Sequence, residues 1–405
     1  MNRSLPRLAL LIAGPIILAG SACVFLTEPA RGQPGSRPAE TSRKVRVLVL
    51  EGTPYNRGLT HGKAMKQQIH EVAKLWKEFV AAVFKTDADA FFRRFVRETN
   101  FLSAIKKWTP DLVDEIRGMA EGAGVDFDTM LTLQLPDEVF VNGKAIAGEH
   151  CTSLGFDKKG TQPACIAQNM DVPAFADGFQ VVLHVKEPNS DVEAFVLTQA
   201  GCIGFNGMNN HSVGICCNAL WMLNSSRDGL PVACIVRGVL KQPTEADAVA
   251  FVRNVKHASG QNYIVGGLEH AYSFECSAHK VTRFQPYGRD DVVWHTNNPL
   301  ANDDCDEPYR ALRADPEELE KKEANSRSRL HCVERRMKDN VTARELEHIK
   351  GTLSSYPVCC AKKDKYGSFT FASTIMVLGE KPVLHIAPGP PNVTPFESLS
   401  FTPAK

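Results

Sequence analysis

The chain has 405 residues, enough for one large domain or two ordinary ones. Its 47 basic and 46 acidic residues leave a net charge of +1, which removes the electrostatic case for nucleic acid or an anionic membrane surface as a partner. A 43% hydrophobic content is that of an ordinary globular protein.

Residues 1–22 read as a secretion signal rather than as fold. Arg3 and Arg7 precede an apolar run from Leu8 to Gly20, broken by Pro15 and too short to span a bilayer comfortably. Gly20-Ser21-Ala22 supplies small residues for cleavage, and Cys23 directly after them raises lipid anchoring. An uncleaved membrane anchor is the plainer alternative. Residues 23–44 are rich in Pro, Gly, Arg and Ser and read as a flexible linker. The protein is therefore expected to be exported: periplasmic, extracellular or envelope-anchored. Twelve cysteines fit that compartment. Setting aside Cys23 and Cys151 leaves an even number, which allows disulfides without fixing any pairing. Cys216-Cys217 and Cys359-Cys360 are adjacent pairs and there is no CxxC, so neither a zinc site nor any cofactor is expected.

Residues 45–150 are expected to be mainly helical. Ile69, Val72, Trp76, Phe79, Val80 and Val83 recur at three- and four-residue spacing and make one apolar stripe. Thr109-Pro110-Asp111 starts another helix, whose inner face is Leu112, Val113, Ile116 and Met119 and which ends at Gly122 or Gly124. No polar constellation in this region suggests chemistry, and its expected role is packing and masking.

From Cys151 the texture changes to short strands. The candidates are 163–169, 179–186, 194–200, 213–219, 262–266, 291–295, 369–377 and 382–387. Thr244 caps a helix over 245–256, residues 316–338 form a longer charged one, and Thr342 with Glu345 makes a capping box for a third. Strands, then helices, then strands again suggest stacked layers rather than regular βαβ units, an α+β protein.

Cys151-Thr152-Ser153, deep inside the chain, looks like a masked N-terminus. Cutting the His150–Cys151 bond would leave one residue with a thiol nucleophile and an α-amine of pKa roughly 7.7–8.0, able to take the thiol proton near neutral pH. A papain-like arrangement of Cys151, His211 and Asn297 is the nearest rival, although the local cysteine signature of that class is missing. Gly201-Cys202-Ile203-Gly204 lacks the Lys-Ser/Thr of a phosphate loop and reads as a tight strand connection.

Ordered motifs carry a resemblance. They are Glu51-Gly52-Thr53-Pro54-Tyr55-Asn56-Arg57-Gly58, His61-Gly62, Ala120-Glu121-Gly122-Ala123-Gly124, Cys151-Thr152-Ser153, Gln168-Asn169-Met170-Asp171, Ala200-Gly201, Gly207-Met208-Asn209, His295-Thr296-Asn297, Asn325-Ser326-Arg327-Ser328-Arg329 and Gly389-Pro390-Pro391. From about residue 48 to about 400 the chain resembles the penicillin acyltransferase-like family of N-terminal nucleophile (Ntn) hydrolases. The resemblance implies an αββα sandwich of two stacked antiparallel sheets, with 45–150 as a pro-segment or small subunit and 151–405 as the catalytic subunit.

It also implies roles. Cys151 is the nucleophile, Asp171 holds its α-amine, and the Asn297 side chain and the Asn209 backbone N–H bind the oxyanion. Ser326 and Arg327 assist cleavage after His150 and shape the pocket; a solvated helix face is the plainer reading of that arginine and of Arg329. The chain departs from the family at His150, where Gly is more usual, and at Asn298, where His is. Gln168 stands where bile-salt hydrolases have an arginine, which argues against a bile-salt substrate. The expected partner is a small-molecule amide or N-acyl compound, with membrane attachment only through Cys23 and a heterodimer of the two cleaved fragments. The function implied is an exported, self-cleaving amidohydrolase or acyltransferase. The alternative is an uncleaved, degenerate binding or envelope protein.

Overall fold

The computed structural model describes residues 44–143, 151–338, 342–360 and 367–401. The signal, nearly all of the linker, and His150 with the bond it forms to Cys151 lie outside the described residues. Before Cys151 come strand β1 (Val47–Glu51) and helices α1 (Pro54–Ala64), α2 (Lys66–Phe84), α3 (Ala88–Glu98), α4 (Phe101–Trp108), α5 (Asp111–Ala123), α6 (Phe127–Leu133) and α7 (Pro136–Gly143). After it come β2 (Thr152–Phe156), β3 (Ala164–Pro173), β4 (Gln180–Lys186), β5 (Glu193–Gln199), β6 (Asn206–Asn209) and β7 (Gly214–Ala219). Helices α8 (Val232–Leu240) and α9 (Glu245–Asn254) lead to β8 (Gln261–Gly266), β9 (Ala271–Cys276), β10 (Val281–Phe284) and β11 (Val292–His295). The chain closes with α10 (Glu307–Leu312), α11 (Pro316–Arg336), α12 (Leu346–Leu353), β12 (Ser368–Leu378), β13 (Val383–Ala387) and β14 (Glu397–Ser400).

The strands make two sheets. One has eight strands in the order β1-β4-β5-β6-β7-β8-β9-β10, and the other six in the order β11-β2-β3-β12-β13-β14. All pairings are antiparallel except β1 with β4, so the larger sheet departs from the expected pattern at one edge. Three cores define the layers. One lies between α1–α9 and the outer face of the larger sheet. The second lies between the sheets and includes Ile166, Val182, Leu197, Ile264 and Phe371. The third, with Leu154, Trp294, Leu330, Val333, Ile349 and Leu353, packs α11 and α12 on the smaller sheet. The order is therefore helix, sheet, sheet, helix, the predicted αββα sandwich. Buried polar side chains also cross between the sheets: Ser153 Oγ donates to Asn218 Oδ1 (2.5 Å), and Gln168 Oε1 accepts from Asn206 Nδ2 (2.8 Å).

Each strand predicted from composition is present within a few residues, but β1, β6, β9, β10 and β14 were not foreseen. They are short, and β10 and β14 carry no buried residue. Val83 leaves the apolar stripe of α2 and is exposed, while Phe84 beside it still packs on Phe91 and Phe140. The Thr342–Glu345 capping box does not form. Residues 342–344 make a 3₁₀ turn, and Glu345 becomes the N-cap of α12 with no side-chain bond. Gly124, with φ of 72°, ends α5. Gly122 serves packing instead. No disulfide joins the described cysteines, and no described helix is long and apolar enough to cross a membrane.

Helix α1 lies backbone to backbone on α5. A Cβ on Gly58 would stand 1.8 Å from Glu115 O, and one on Gly118 would stand 2.1 Å from Tyr55 O. Across this seam Arg57 Nε reaches Glu115 Oε2 (3.1 Å), and Arg237 of α8 grips the same carboxylate through Nη1 (2.6 Å) and Nη2 (3.0 Å). Burial would raise the Glu115 pKa, but the two guanidiniums outweigh it and hold it below its ordinary value. Gly58→Ala is expected to cost more than about 3 kcal/mol, because neither backbone can retreat. Gly178→Ala, in open space at φ of 97°, should cost only about 1 kcal/mol. Denaturant titration of both variants checks this; equal losses would show that the seam tolerates a methyl group.

Candidate active site

Cys151 stands at the head of β2, a central strand of the smaller sheet between β11 and β3. It is 2% exposed. The antiparallel register brings the end of β3 beside it: Sγ lies 3.7 Å from Met170 Sδ and 3.5 Å from the Asp171 backbone nitrogen, which donates to it. Opposite Asp171, β12 carries a bulge; its register slips between Thr370 and Ala372 and leaves Phe371 out of the ladder. Such bulges re-aim side chains at the end of a strand pair.

Asp171 is wholly buried, and neither carboxylate oxygen has a hydrogen-bond partner of good geometry. Burial pushes its pKa up to about 7, against the opposing pull of the nearby Thr370 hydroxyl and the Arg329 guanidinium. Asn169, two residues before Asp171 and so on the same face of β3, donates to Leu353 O (2.8 Å) and Val358 O (3.1 Å).

Arg329 ties the site together. Its Nη1 donates to the Cys151 carbonyl (2.5 Å) and Thr152 Oγ1 (2.9 Å), its Nη2 to Asn297 Oδ1 (2.9 Å), and its Nε to Asn325 Oδ1 (2.9 Å). Burial lowers its pKa to about 10, so it remains a cation at neutral pH. With Oδ1 so held, the Asn297 amide nitrogen faces Ala219 O at 3.1 Å. Ser326 Oγ accepts from the Asn297 backbone nitrogen (2.9 Å) and donates to Thr296 Oγ1 (2.9 Å). Beside them, Asn298 Nδ2 is buried without a partner.

Two expectations fail, and one rival arrangement falls with them. Arg327 is half exposed and paired with Glu323 through Nη2 (2.5 Å), about 100° round α11 from Ser326 and about 160° from Arg329. The arginine that reaches Cys151 is Arg329, and its spacing of three from Ser326 was the available signal. Asn209 is not brought to Cys151: its backbone N–H donates to Val213 O (2.8 Å), and its side chain anchors Leu240 O, Gln242 O, and the nitrogens of His211 and Val213. It is a turn anchor with no donor to spare. His211 pairs with Asp191 (3.3 Å) and lines a separate surface groove, which removes the papain-like arrangement.

A cavity of about 90 Å³ reaches Cys151 and Asp171. Its walls correct the view of 45–150 as packing and masking, since Trp76, Gln134, Asp137 and Phe140 all line it. The same segment clamps the Gly201 loop that borders it. Gln134 Nε2 donates to Gly201 O (2.7 Å), and Gly201 N donates to His61 Nε2 (3.2 Å), which burial keeps neutral by lowering its pKa to about 4.

Two stacked sheets between helical layers, with a cysteine heading a central strand, define the Ntn-hydrolase class of fold. The sequence model of the acyl-coenzyme A:6-aminopenicillanic acid acyl-transferase family matches residues 157–391, and the chain belongs to that family. It is 26% identical over 257 residues to the acyl-coenzyme A:6-aminopenicillanic-acid-acyltransferase 40 kDa form of Emericella nidulans, covering 63% of this chain and 70% of that one. It is 22% identical over 243 residues to protein dcd1B of Dictyostelium discoideum, of which it spans about half (47%) and which covers 54% of this chain. Among solved structures it is similar to the N-acylethanolamine-hydrolyzing acid amidase (NAAA) ortholog of Caenorhabditis elegans, with TM-score 0.41, 17% identity, and coverage of 62% of this chain and 100% of that one.

Because burial raises the Asp171 pKa above its unfolded value, the folded chain binds that proton more tightly than the unfolded chain. Stability should therefore fall as pH rises from about 4 to about 7, by up to about 4 kcal/mol. In an uncut Cys151→Ala chain, Asp171→Asn should remove that fall. Denaturant titrations across this range check it; parallel pH profiles with and without Asp171 would contradict it.

Proposed function

We propose that the chain is an Ntn cysteine amidohydrolase or acyltransferase that cuts its own His150–Cys151 bond and acts on C–N bonds of small N-acyl compounds. The observation that carries this reading is Asp171. A fully buried carboxylate without a hydrogen-bond partner, on the residue whose backbone meets the Cys151 thiol, wants a cation. The α-ammonium freed at Cys151 would be that cation.

In the cut protein the Cys151 thiol attacks the amide carbonyl and passes its proton to the α-amine. The Asn297 amide stabilises the oxyanion. The tetrahedral intermediate collapses with loss of the amine, which takes the proton from the α-ammonium. The thioester is then released by water, or by a second amine in the transferase mode. Arg329 holds Asn297 and the Cys151 carbonyl in place, and Ser326 fixes the backbone that carries Asn297. Gln168 is buried and spent on Asn206 and Cys217, so it offers substrate no charge. Residues 1–22 direct export, with Cys23 a lipid-anchor site, and a coenzyme A donor is out of reach there, which favours hydrolysis. The two cut fragments stay associated as a heterodimer.

Intact mass measurement of the mature protein should find a fragment that begins at Cys151. Cys151→Ala should abolish both cleavage and turnover. A single uncut chain that turns over amides would sink the mechanism, and an uncut chain without turnover would leave the binding or envelope protein. Asn297→Ala should keep the fold and thiol labelling but cut kcat by on the order of 10²–10³. Melting curves paired with steady-state kinetics decide that; a large fall in Tm with near-normal kcat would make Asn297 structural.

A further inference from the structure

The cavity that reaches Cys151 meets, on α7, two adjacent acids. Asp137 lines it, and Glu138 is the next residue; they are 8% and 0% exposed. Among the described residues neither carboxyl has an ion pair with Lys, Arg or His. Asp137 Oδ2 accepts from Gln261 Nε2 (2.5 Å), with the Trp221 indole beside it. Glu138 Oε1 accepts from Ser259 Oγ (2.8 Å) and Val232 N (3.1 Å), and its Oε2 has no partner.

Burial raises both carboxyls, and repulsion from Asp137 raises Glu138 further. The other titratable groups facing them supply no positive charge. Burial keeps Tyr263 and Cys234 protonated and neutral, and it lowers His257, which packs on Tyr263, to about 4. Glu115 makes the contrast. It is just as buried, and two arginines hold it.

Aromatic rings stand around the acids. Trp76, Phe140 and Phe175 line the cavity, and Phe140 packs on Trp221 at 5.6 Å. Trp76 Nε1, on the same wall and 2% exposed, has no hydrogen-bond partner. A buried acid pair without a counter-ion, walled by aromatic rings, is the environment that binds an alkylammonium group.

We propose that this end of the cavity is a cation subsite, and that the acyl group delivered to Cys151 carries a protonated amine, paired with Asp137 and Glu138 between the aromatic walls. The assignment of that amine to an acyl group rests on the acyl-transfer reading of Cys151; the subsite itself does not.

Calorimetric titration of the mature, full-length protein at pH 7 with 6-aminohexanoate, 6-hydroxyhexanoate and hexanoate separates the cases without turnover. The amino acid should bind at least about tenfold more tightly than the other two. Asp137→Asn should erase that preference while leaving hexanoate binding unchanged. Glu138→Gln, which removes half of the acid pair, provides a second reading if Asp137→Asn melts early. Equal binding of the three ligands, tighter binding of the hydroxy acid, or a preference that survives both substitutions would overturn the subsite. Turnover of 6-aminohexanoyl p-nitroanilide then tells the two readings apart. An amine preference without turnover leaves the cation subsite standing and removes the role of Cys151. Turnover without the preference does the reverse.

Discussion

One buried guanidinium holds the Cys151 end of this molecule together. Arg329 reaches from α11 on the outer layer to the carbonyl of Cys151 at the head of β2 and to the side chain of Asn297 beyond the end of β11. These two strands are neighbours in the smaller sheet, but hydrogen bonds of the ladder stop at Ser153 and His295. Past that point the chain ends would splay without a common partner. A planar guanidinium with five donors in a fixed fork serves four acceptors here, one more than the three donors of a lysine allow. Its charge is costly to bury, and the compensation is local: carbonyl and amide oxygens on every side, with Asp171 close enough to favour the cation.

The residues before Cys151 are part of the same construction. Their helices cover the larger sheet, yet they also reach through it at chosen points. Gln134 closes the loop after β5 with both ends of its amide, donating to Gly201 O and accepting from Ile203 N (2.8 Å). Glu115 links α1, α5 and α8. Asp137 and Glu138 reach Gln261, Ser259 and the start of α8. A segment bonded at so many buried points would stay in place after a cut at its end, because each of those bonds is independent of the peptide link at residue 150. The substrate cavity is then shared between the two sides of that link.

The two kinds of buried carboxylate tell functional from structural burial. Glu115 has guanidiniums and lies below its ordinary pKa. Asp171, Asp137 and Glu138 have none in contact and lie above theirs. All three of these unbalanced acids lie at or beside the cavity that reaches Cys151. A protein gains no stability from an unpaired buried acid, so such groups collect where a ligand or a new terminus is to supply the missing charge.

Much of this was legible in the sequence. The change of texture at Cys151, the apolar composition of the longer strands and the stripe on α2 are local patterns, legible without the fold. The αββα order and the pairing of Cys151 with Asp171 came from ordered motifs matched to a family, not from spacing. Three matters were left to the tertiary structure. Short edge strands such as β10 bury nothing, so composition cannot mark them; their partner strand makes them. Arg327 and Arg329 are chemically alike and two residues apart, and only the phase of α11 against β11 decides which is buried. Asn209 matched a motif, but its N–H was already committed to Val213 across a turn that no one-dimensional pattern reports. The sequence by itself thus determined the longer strands and helices and singled out Cys151 as the candidate nucleophile. Which donors are free, which arginine faces inward and which acids go unpaired were decided by packing, because these depend on how the chain folds back, across a turn for Asn209 and between helix and strand for Arg329 and Cys151.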